Sequence, residues 1–149
     1  MRIEKKTHFY AAHRNQELKD KCCNLHGHSY FVVFTFEFKR EGSITKLFGD
    51  IEVIIDPIVK GEFDHALLID INDPLYLTLK THHPEFKMVE FNEPTSVENL
   101  CQMLFGKVST ALKEGDLIEL TVQETTTSVI RYTAENYHSD LTAKGQLHS

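Results

Sequence analysis

The run of residues 29–39, SYFVVFTFEFK, limits the possible folds more than any other stretch of this chain. β-Branched and aromatic residues dominate it, and every second residue from Tyr30 to Phe38 is large and apolar. Because side chains alternate between the two faces of a strand, the run predicts a strand with one face against a core. Residues 2–10 and 117–124 alternate in the same way, so the sequence predicts a sheet of several such strands.

Two helices are predicted between these strands. Apolar residues from Ile51 to Val59 recur at helical spacing, although Pro57 interrupts or kinks that helix. The second helix is predicted to begin with Thr95 as its N-cap and Glu98 as the partner in a capping box.

The remaining segments have weaker signals. Residues 72–93 contain two prolines and are predicted to form a loop, with a short strand at 86–91. Another short strand is predicted at 129–132. The order strand, strand, helix, helix, strand, strand favours an α+β fold with helices on one face of an antiparallel sheet.

Length and composition limit the classes of protein to which this chain can belong. The 149 residues suit one domain, which we interpret as residues 1–138 followed by a polar C-terminal tail, residues 139–149. The formal charge of −6 argues against a nucleic-acid partner. No apolar run approaches the roughly 20 residues of a membrane span, and the N-terminus lacks the apolar segment of a signal peptide. Three cysteines are an odd number, so we expect a cytoplasmic protein with reduced thiols.

The motif HGH opens the strongest predicted strand. Strand alternation projects His26 and His28 to the same side with Cα atoms about 6.6 Å apart, so both rings can bind one ion. His13, at the end of FYAAH, lies near them if the first two strands pair antiparallel. Three histidines with an open fourth position are typical of a catalytic zinc site. The plainer interpretation is a chance pair at a solvated strand end.

Two cysteines precede this motif. Cys22 or Cys23 can act as a fourth ligand that closes the site, or as a thiolate base beside a cation. Spacing alone does not choose between them. Cys101 lies inside the second predicted helix, and we interpret it as a small buried hydrophobic residue.

Two acidic positions complete the candidate chemistry. Asp64 adjoins His65, and a neighbouring carboxylate can fix an imidazole's tautomer and raise its basicity, although a turn or helix-end role fits as well. Glu124 shares strand parity with Ile118 and Leu120, which predicts a carboxylate on the apolar face, where it needs a partner. That partner is either two parallel N–H donors on the edge of a ligand ring or a buried arginine. The plainer interpretation is a frayed strand end.

Five motifs follow one another along residues 1–133: FYAAH, CCNLHGHSY, FDHALL, EPTSVEN and QETTTS. In this order they resemble the family of 6-pyruvoyl-tetrahydropterin synthase and 6-carboxytetrahydropterin synthase. The resemblance implies the tunnelling fold, a four-stranded antiparallel sheet with two helices packed on one face. It also implies a homo-oligomer, a barrel-like trimer or a hexamer of two stacked trimers.

The resemblance assigns a metal and a thiol. It implies that His13, His26 and His28 bind Zn²⁺. In carboxy-type members a cysteine stands four residues before HGH, which selects Cys22 over Cys23, whereas pyruvoyl-type members carry a longer gap.

The resemblance also assigns the acidic positions. Asp64 and His65 match the family's catalytic pair, and Glu124 matches the carboxylate that anchors the pterin ring. Thr95 matches a position close to the substrate pocket, although helix capping is its simpler role.

The implied substrate is 7,8-dihydroneopterin triphosphate. The carboxy-type reaction, on the route to queuosine and related deazapurines, yields 6-carboxytetrahydropterin, acetaldehyde and triphosphate. Zinc would polarise the side-chain hydroxyls of the substrate, the Cys22 thiolate would remove a side-chain proton, and His65 would shuttle protons. Arg14 and Lys21 flank the histidine motifs and are candidates for contacts with the triphosphate.

Two alternatives remain at this point. One is the pyruvoyl reaction, which eliminates triphosphate without breaking the carbon chain, and the other is a non-catalytic binding module stabilised by zinc. Two departures from the family pattern bear on substrate detail. Many relatives open the first helix with Asp-Phe where this chain has Leu47-Phe48, and residues 72–93 form a longer segment than in compact members.

Overall fold

The computed structural model describes residues 1–44 and 48–145. The strands are β1 (Arg2–His13), β2 (His26–Glu37), β3 (Ala66–Asp70), β4 (Met88–Phe91), β5 (Asp116–Gln123) and β6 (Val129–Thr133). The helices are α1 (Phe48–Ile58), α2 (Pro74–His82), α3 (Val97–Ala111) and α4 (Ala134–Ala143). In the described residues the strands form one sheet in the order β4-β3-β1-β2-β5-β6, and its inner face shares a core with α1 and α3.

The long hairpin of β1 and β2 agrees with the predicted alternation. The two strands pair antiparallel from Arg2 opposite Glu37 to His13 opposite His26. The apolar residues predicted to share the inner face of β2 and its extension to Phe38 are all buried. This hairpin brings the FYAAH and HGH motifs to the same end of the sheet.

The predicted four-stranded antiparallel sheet with two helices is wrong in strand number, strand direction and helix number. The order β1-β2-β5-β6 is antiparallel, but β3 and β4 extend the sheet beside β1 in parallel orientation. Parallel neighbours need a crossover, and α2 is the crossover between β3 and β4. The segment predicted as a loop at 72–93 therefore contains a helix, and the short strand predicted there is β4.

The chain between β2 and β3 forms α1 and a π-helical turn, Val59–Phe63. Ile51, Ile55 and Ile58 of α1 are buried, as the helical spacing predicts. Pro57 lies inside the last turn of α1, and the helix changes to the wider π turn directly after Ile58, where a proline has removed a backbone donor. Of the Leu47-Phe48 pair, Leu47 lies outside the described residues and Phe48 begins α1.

The prediction of Thr95 as the N-cap of the second helix is wrong by one residue. Ser96 is the N-cap of α3, because its side chain accepts a hydrogen bond from the backbone N–H of Asn99 at 3.3 Å. Thr95 is 2% exposed and stays available for other contacts.

Residues Ala134–Ala143, which include the start of the predicted polar tail, form the helix α4. Thr133 and Asn136 form a reciprocal capping box at the start of α4, and this helix runs across the domain boundary predicted at residue 138. The ring of Tyr137 packs on that of Phe105 with centroids 4.9 Å apart, so α4 is held against α3. Among the described residues, none of the helices is long and apolar enough to cross a membrane.

A β-bulge interrupts the alternation of β5. Phe34 pairs with Leu120, but Phe36 pairs with Leu117, so Ile118 is an extra residue in the ladder. The prediction that Ile118 and Glu124 lie on the same face of the strand is therefore wrong. Leu117 takes the buried position, and Ile118 is only partly buried.

Candidate metal centre

Three histidines converge at the inner face of the β1–β2 hairpin. His13 lies directly opposite His26 in the ladder, and His28 is two residues further along the same face. Their ring centroids are 4.7 to 5.2 Å apart, and the candidate ligand atoms all lie within 4.8 Å of one another. This group can hold a metal ion.

Backbone carbonyls orient two of the three rings. The Nδ1–H of His13 donates to the carbonyl of Thr95 at 2.8 Å, and the Nδ1–H of His26 donates to the carbonyl of Asn24 at 2.6 Å. Each Nε2 is then left with a free lone pair, which is the arrangement that outer hydrogen bonds give to metal-binding histidines.

The electrostatic environment also suits a metal. His13 is 1% exposed, and its Nε2 is a buried polar atom with no hydrogen-bond partner in the described part of the chain. Burial lowers the pKa of both His13 and His28, which keeps these imidazoles neutral. Neutral imidazole is the form that binds metal, so the orphaned nitrogen and the donor set both fit a divalent ion such as Zn²⁺.

Glu124 borders the histidine cluster just beyond the end of β5. Its Oε1 lies 3.6 Å from Nε2 of His13 and 3.8 Å from Nε2 of His28. The Tyr30 hydroxyl donates to the same oxygen at 3.3 Å, and burial together with this carboxylate raises the pKa of Tyr30, so the hydroxyl keeps its proton. Tyr30 was not singled out as a site residue from the sequence, although it shares strand parity with His26 and His28.

The two adjacent cysteines lie in a 3₁₀ turn, Lys21–Cys23, ahead of β2. The carboxylate of Asp20 accepts from the backbone N–H of Cys22 at 2.8 Å and fixes this turn. The pKa of the half-buried Cys22 thiol is raised, first by desolvation and then by Asp20, with a smaller contribution from Glu124. Lys21 offsets this shift in part, and in the chain alone the Cys22 thiol keeps its proton at neutral pH, so the predicted thiolate depends on a further cation beside it. Cys23 lies instead with its Sγ 4.0 Å from the carbonyl of Gln16.

Cys101 agrees with its structural interpretation. It is fully buried in α3, and burial raises the pKa of its thiol to about 12. A thiol this hard to ionise is inert, so Cys101 belongs to the core.

Asp64 and His65 lie at the turn between the π-helical turn and β3. The His65 backbone N–H donates to the Tyr10 carbonyl at 2.6 Å, and the Tyr10 N–H donates to Oδ1 of Asp64 at 3.0 Å. Asp64 Oδ2 and His65 Nδ1 are 3.0 Å apart. His65 has φ +60, a left-handed conformation that is uncommon for a non-glycine residue, although histidine adopts it more often than most.

This pair lies on the other face of the sheet from the metal cluster. The His65 side chain is 77% exposed, and its ring contacts the ring of Tyr10 at 5.9 Å. Tyr10 points away from the face that carries Phe9, Ala11 and His13, because strand side chains alternate. Within one chain, the structure therefore does not bring Asp64 and His65 together with the three histidines.

Arg14, which the sequence suggested for a contact with triphosphate, has a partner within the chain. Its guanidinium is bound by Asp73, with Nε donating to Oδ2 at 2.7 Å. Asp73 had no signal as a site residue, because it lies 59 residues away in the segment predicted as a loop. Lys21 is exposed in the 3₁₀ turn beside Cys22.

Comparison with known proteins identifies the family. A sequence model of the 6-pyruvoyl tetrahydropterin synthase family matches residues 2–135. The chain is 35% identical over 136 residues to the 6-carboxy-5,6,7,8-tetrahydropterin synthase of Synechocystis sp., covering 87% of this chain and 91% of that protein.

Two solved structures share the fold. An uncharacterized protein from Wolinella succinogenes superposes with a TM-score of 0.75 at 19% identity, covering 90% of this chain and 98% of that one. The 6-pyruvoyl tetrahydropterin synthase of Caenorhabditis elegans gives a TM-score of 0.63 at 20% identity, with 90% and 95% covered. The family match spans most of the chain, and the curated relative carries the carboxy-type name. This chain therefore belongs to the 6-pyruvoyl tetrahydropterin synthase family of lyase-type enzymes, on the side of its carboxy-type members.

Proposed function

We propose that this protein is a zinc-dependent lyase acting on 7,8-dihydroneopterin triphosphate. The substrate and one water yield 6-carboxy-5,6,7,8-tetrahydropterin, acetaldehyde and triphosphate. The observation that carries this proposal is the cluster of His13, His26 and His28, in which the buried Nε2 of His13 has no hydrogen-bond partner among the described residues and lies beside Glu124. The 35% identical carboxy-type relative supports the choice of substrate.

The three histidines would hold Zn²⁺ through their Nε2 atoms, as the carbonyl contacts of His13 and His26 favour. When bound there, Zn²⁺ would supply a Lewis acid for the substrate hydroxyls and a positive charge beside Glu124, whose own charge acts on Cys22. The thiol of Cys22 then loses its proton more easily and can accept one from the substrate side chain. The spacing of Cys22 to the HGH motif supports this residue rather than Cys23 as the base.

Glu124 would receive the ring of the substrate. Its carboxylate has two oxygens that can each accept hydrogen bonds, and the Tyr30 hydroxyl donates one hydrogen bond to only one of them. The rest can accept two parallel N–H groups from the edge of a pterin ring. Thr95, which the family resemblance places close to the substrate pocket, would act there by supporting the His13 ring from its Nδ1 side.

A second copy of the chain would supply Asp64 and His65. The pair faces away from the histidines of its own chain, on a sheet face that exposes the large side chains of Tyr10, Phe31 and Val129. Burying that face against another subunit removes apolar surface from water and can bring His65 to a neighbour's metal centre. We therefore propose a homo-oligomer, a trimer or hexamer, acting in the cytoplasm on the route to queuosine.

Product analysis tests the reaction. The purified protein is loaded with Zn²⁺ and incubated with 7,8-dihydroneopterin triphosphate, and the products are identified by mass spectrometry. We expect 6-carboxytetrahydropterin and one equivalent of acetaldehyde, with neither formed by a His28→Ala variant. A pyruvoyl product without acetaldehyde would replace the carboxy reaction with the pyruvoyl one, and no turnover by loaded protein would contradict the lyase proposal.

A further inference from the structure

A partly buried ion pair anchors the chain directly after His13. The Nε of Arg14 donates to Oδ2 of Asp73 at 2.7 Å, and its Nη2 donates to Oδ1. The Asp73 side chain is 3% exposed, and the Arg14 guanidinium lowers its pKa, so both groups are charged at neutral pH. A two-point contact between guanidinium and carboxylate fixes the orientation of both side chains, which a lysine in place of the arginine would not do.

Asp73 is itself fixed by the crossover helix. It is the N-cap of α2, and its Oδ1 accepts from the backbone N–H of Leu75 at 2.9 Å. The carboxylate therefore cannot turn to follow a displaced arginine without giving up the helix cap. In this way the position of α2 is connected to the end of β1.

Thr95 holds the same stretch of chain from the other side. Its hydroxyl donates to the carbonyl of Arg14 at 3.3 Å, while its own carbonyl accepts from Nδ1 of His13 at 2.8 Å. The amide of Asn99 donates to the carbonyl of Pro94 at 2.8 Å and steadies the loop that carries Thr95. Displacing Arg14 would therefore disturb the hydrogen bond that sets the orientation of the His13 ring.

We propose that Arg14 and Asp73 are a positioning pair for the metal centre. They fix the end of β1 so that the His13 ring keeps Nδ1 on the Thr95 carbonyl and Nε2 toward the other two histidines. This inference rests on the proposed function because it concerns the same metal centre. If the inference holds, the segment at 72–93 also affects the affinity for the metal, because it carries Asp73. Outer partners of metal ligands typically change affinity by about 10–100-fold.

Two conservative variants test the pair. Arg14→Lys keeps the charge and loses the two-point geometry. Asp73→Asn keeps a good N-cap for α2 and loses the negative charge. As matched controls, Arg131→Lys changes the exposed pair with Glu119 in the β5–β6 ladder, and Thr133→Ala removes the N-cap of α4.

Zinc affinity is measured by competition with a chromogenic chelator, and thermal unfolding of the metal-free proteins reports stability. We expect the Kd for zinc to rise about 10-fold or more in Arg14→Lys and in Asp73→Asn. The double variant should be no weaker than the worse single variant, because each removes the same contact. Both controls should keep the Kd within about twofold, although Thr133→Ala lowers the Tm. An unchanged Kd in both test variants, with only the Tm lowered, would reduce the pair to a structural contact and overturn the inference.

A readout that needs no metal separates this inference from the proposed function. Long-range ¹H–¹⁵N spectra of the metal-free protein report the tautomer of His13 directly. We expect the Nδ1–H tautomer in the parent and a mixture of tautomers in both test variants. A parent that binds no zinc would contradict the proposed metal centre, and the tautomers alone would then decide the inference: a mixture supports it, and an unchanged Nδ1–H form overturns it.

Discussion

Two backbone carbonyls set the tautomers of His13 and His26. By accepting from Nδ1, Thr95 and Asn24 leave Nε2 as the nitrogen that faces the cluster. The parity of His26 and His28 was predictable from the sequence, because strand alternation alone sets it. The carbonyl contact of His13 was not predictable, because it depends on where a loop 82 residues away passes.

Removing a single histidine should abolish metal binding. We expect His26→Ala and His28→Ala to reduce zinc from about one ion per chain to less than roughly a tenth, because two remaining ligands hold zinc weakly. Elemental analysis after gel filtration measures this. His82→Ala, at an exposed position of α2, is the control and should retain the metal. Full zinc in both test variants would contradict the proposed centre.

The two adjacent cysteines should differ in function. We expect Cys22→Ala to bind zinc normally and to form less than about 1% of the parent's product, since it lacks the proposed base. Cys23→Ala, whose thiol lies near the Gln16 carbonyl, should retain both properties. Zinc content and product formation are measured on the same samples. Loss of zinc and of folding in Cys22→Ala would favour a structural metal closed by sulfur.

Asp64 should stabilise the fold in a pH-dependent way. The Tyr10 backbone N–H, and then His65, lower the pKa of Asp64 from the ordinary 3.8. Since the folded pKa is depressed, the stabilisation is fully present above about pH 4 and is lost as pH falls through the lower native pKa. Asp64→Asn should therefore lower the free energy of unfolding at pH 7, and the difference should narrow in acid.

Urea unfolding at pH 7 and below pH 3 measures this difference. Asp56→Asn removes an exposed carboxylate on α1 and serves as the control. A difference between Asp64→Asn and the parent that stays constant from neutral to acid pH would show that the carboxylate charge plays no part.

At the level of elements, the strands were easier to predict than the crossover. β1 and β2 have clear two-residue periods, because one face of each is buried over most of its length. Helix α2 has no fully buried residue, so it offers no apolar stripe, and its only sequence signal is the Asp73-Pro74 start. The parallel pairing of β3 and β4 was missed for the same reason, since it depends on recognising that helix.

The turn that leads into β5 depends on a glycine. Gly115 has φ +71, and a Cβ there would lie 2.4 Å from the Phe38 ring and 2.8 Å from the carbonyl oxygen of Glu37. Gly115→Ala combines backbone strain with overpacking, so we expect it to lower the free energy of unfolding by roughly 2–5 kcal/mol. Gly42, with φ +74 and open space around it, is the matched control, for which only about 1–2 kcal/mol is expected. Equal losses in chemical denaturation would show that the contact with β2 is unimportant.

At the level of the whole molecule, the sheet separates the site residues into two groups. The three histidines and Glu124 lie on the inner face, and His65 lies with Tyr10 on the exposed one. The family motifs in the sequence predicted both groups as one site but could not show that the sheet divides them, because motif order carries no information about which subunit contributes each residue.

Mixing inactive variants tests whether one site draws on two chains. His65→Ala and His28→Ala should each be inactive, whereas co-refolded mixtures should recover about a quarter of the parent activity, because random assembly gives each site one chance in four of having both intact residues. A mixture of His65→Ala with Asp64→Asn is the control and should stay inactive, since both changes affect the same contribution. No recovery in the first mixture would contradict a shared site.

Because of the bulge at Ile118, the two ends of β5 pair with β2 in different registers. From Glu119 onward the ladder with β2 is regular, so the direction of the Glu124 carboxylate is set by the last few pairs alone. The bulge takes up the extra residue between Leu117 and Glu119, so the pairing that leads to Glu124 does not depend on the register at the Gly115 end. A change in the length of the connection between α3 and β5 can therefore be absorbed before the bulge, without turning Glu124 away from His13 and His28.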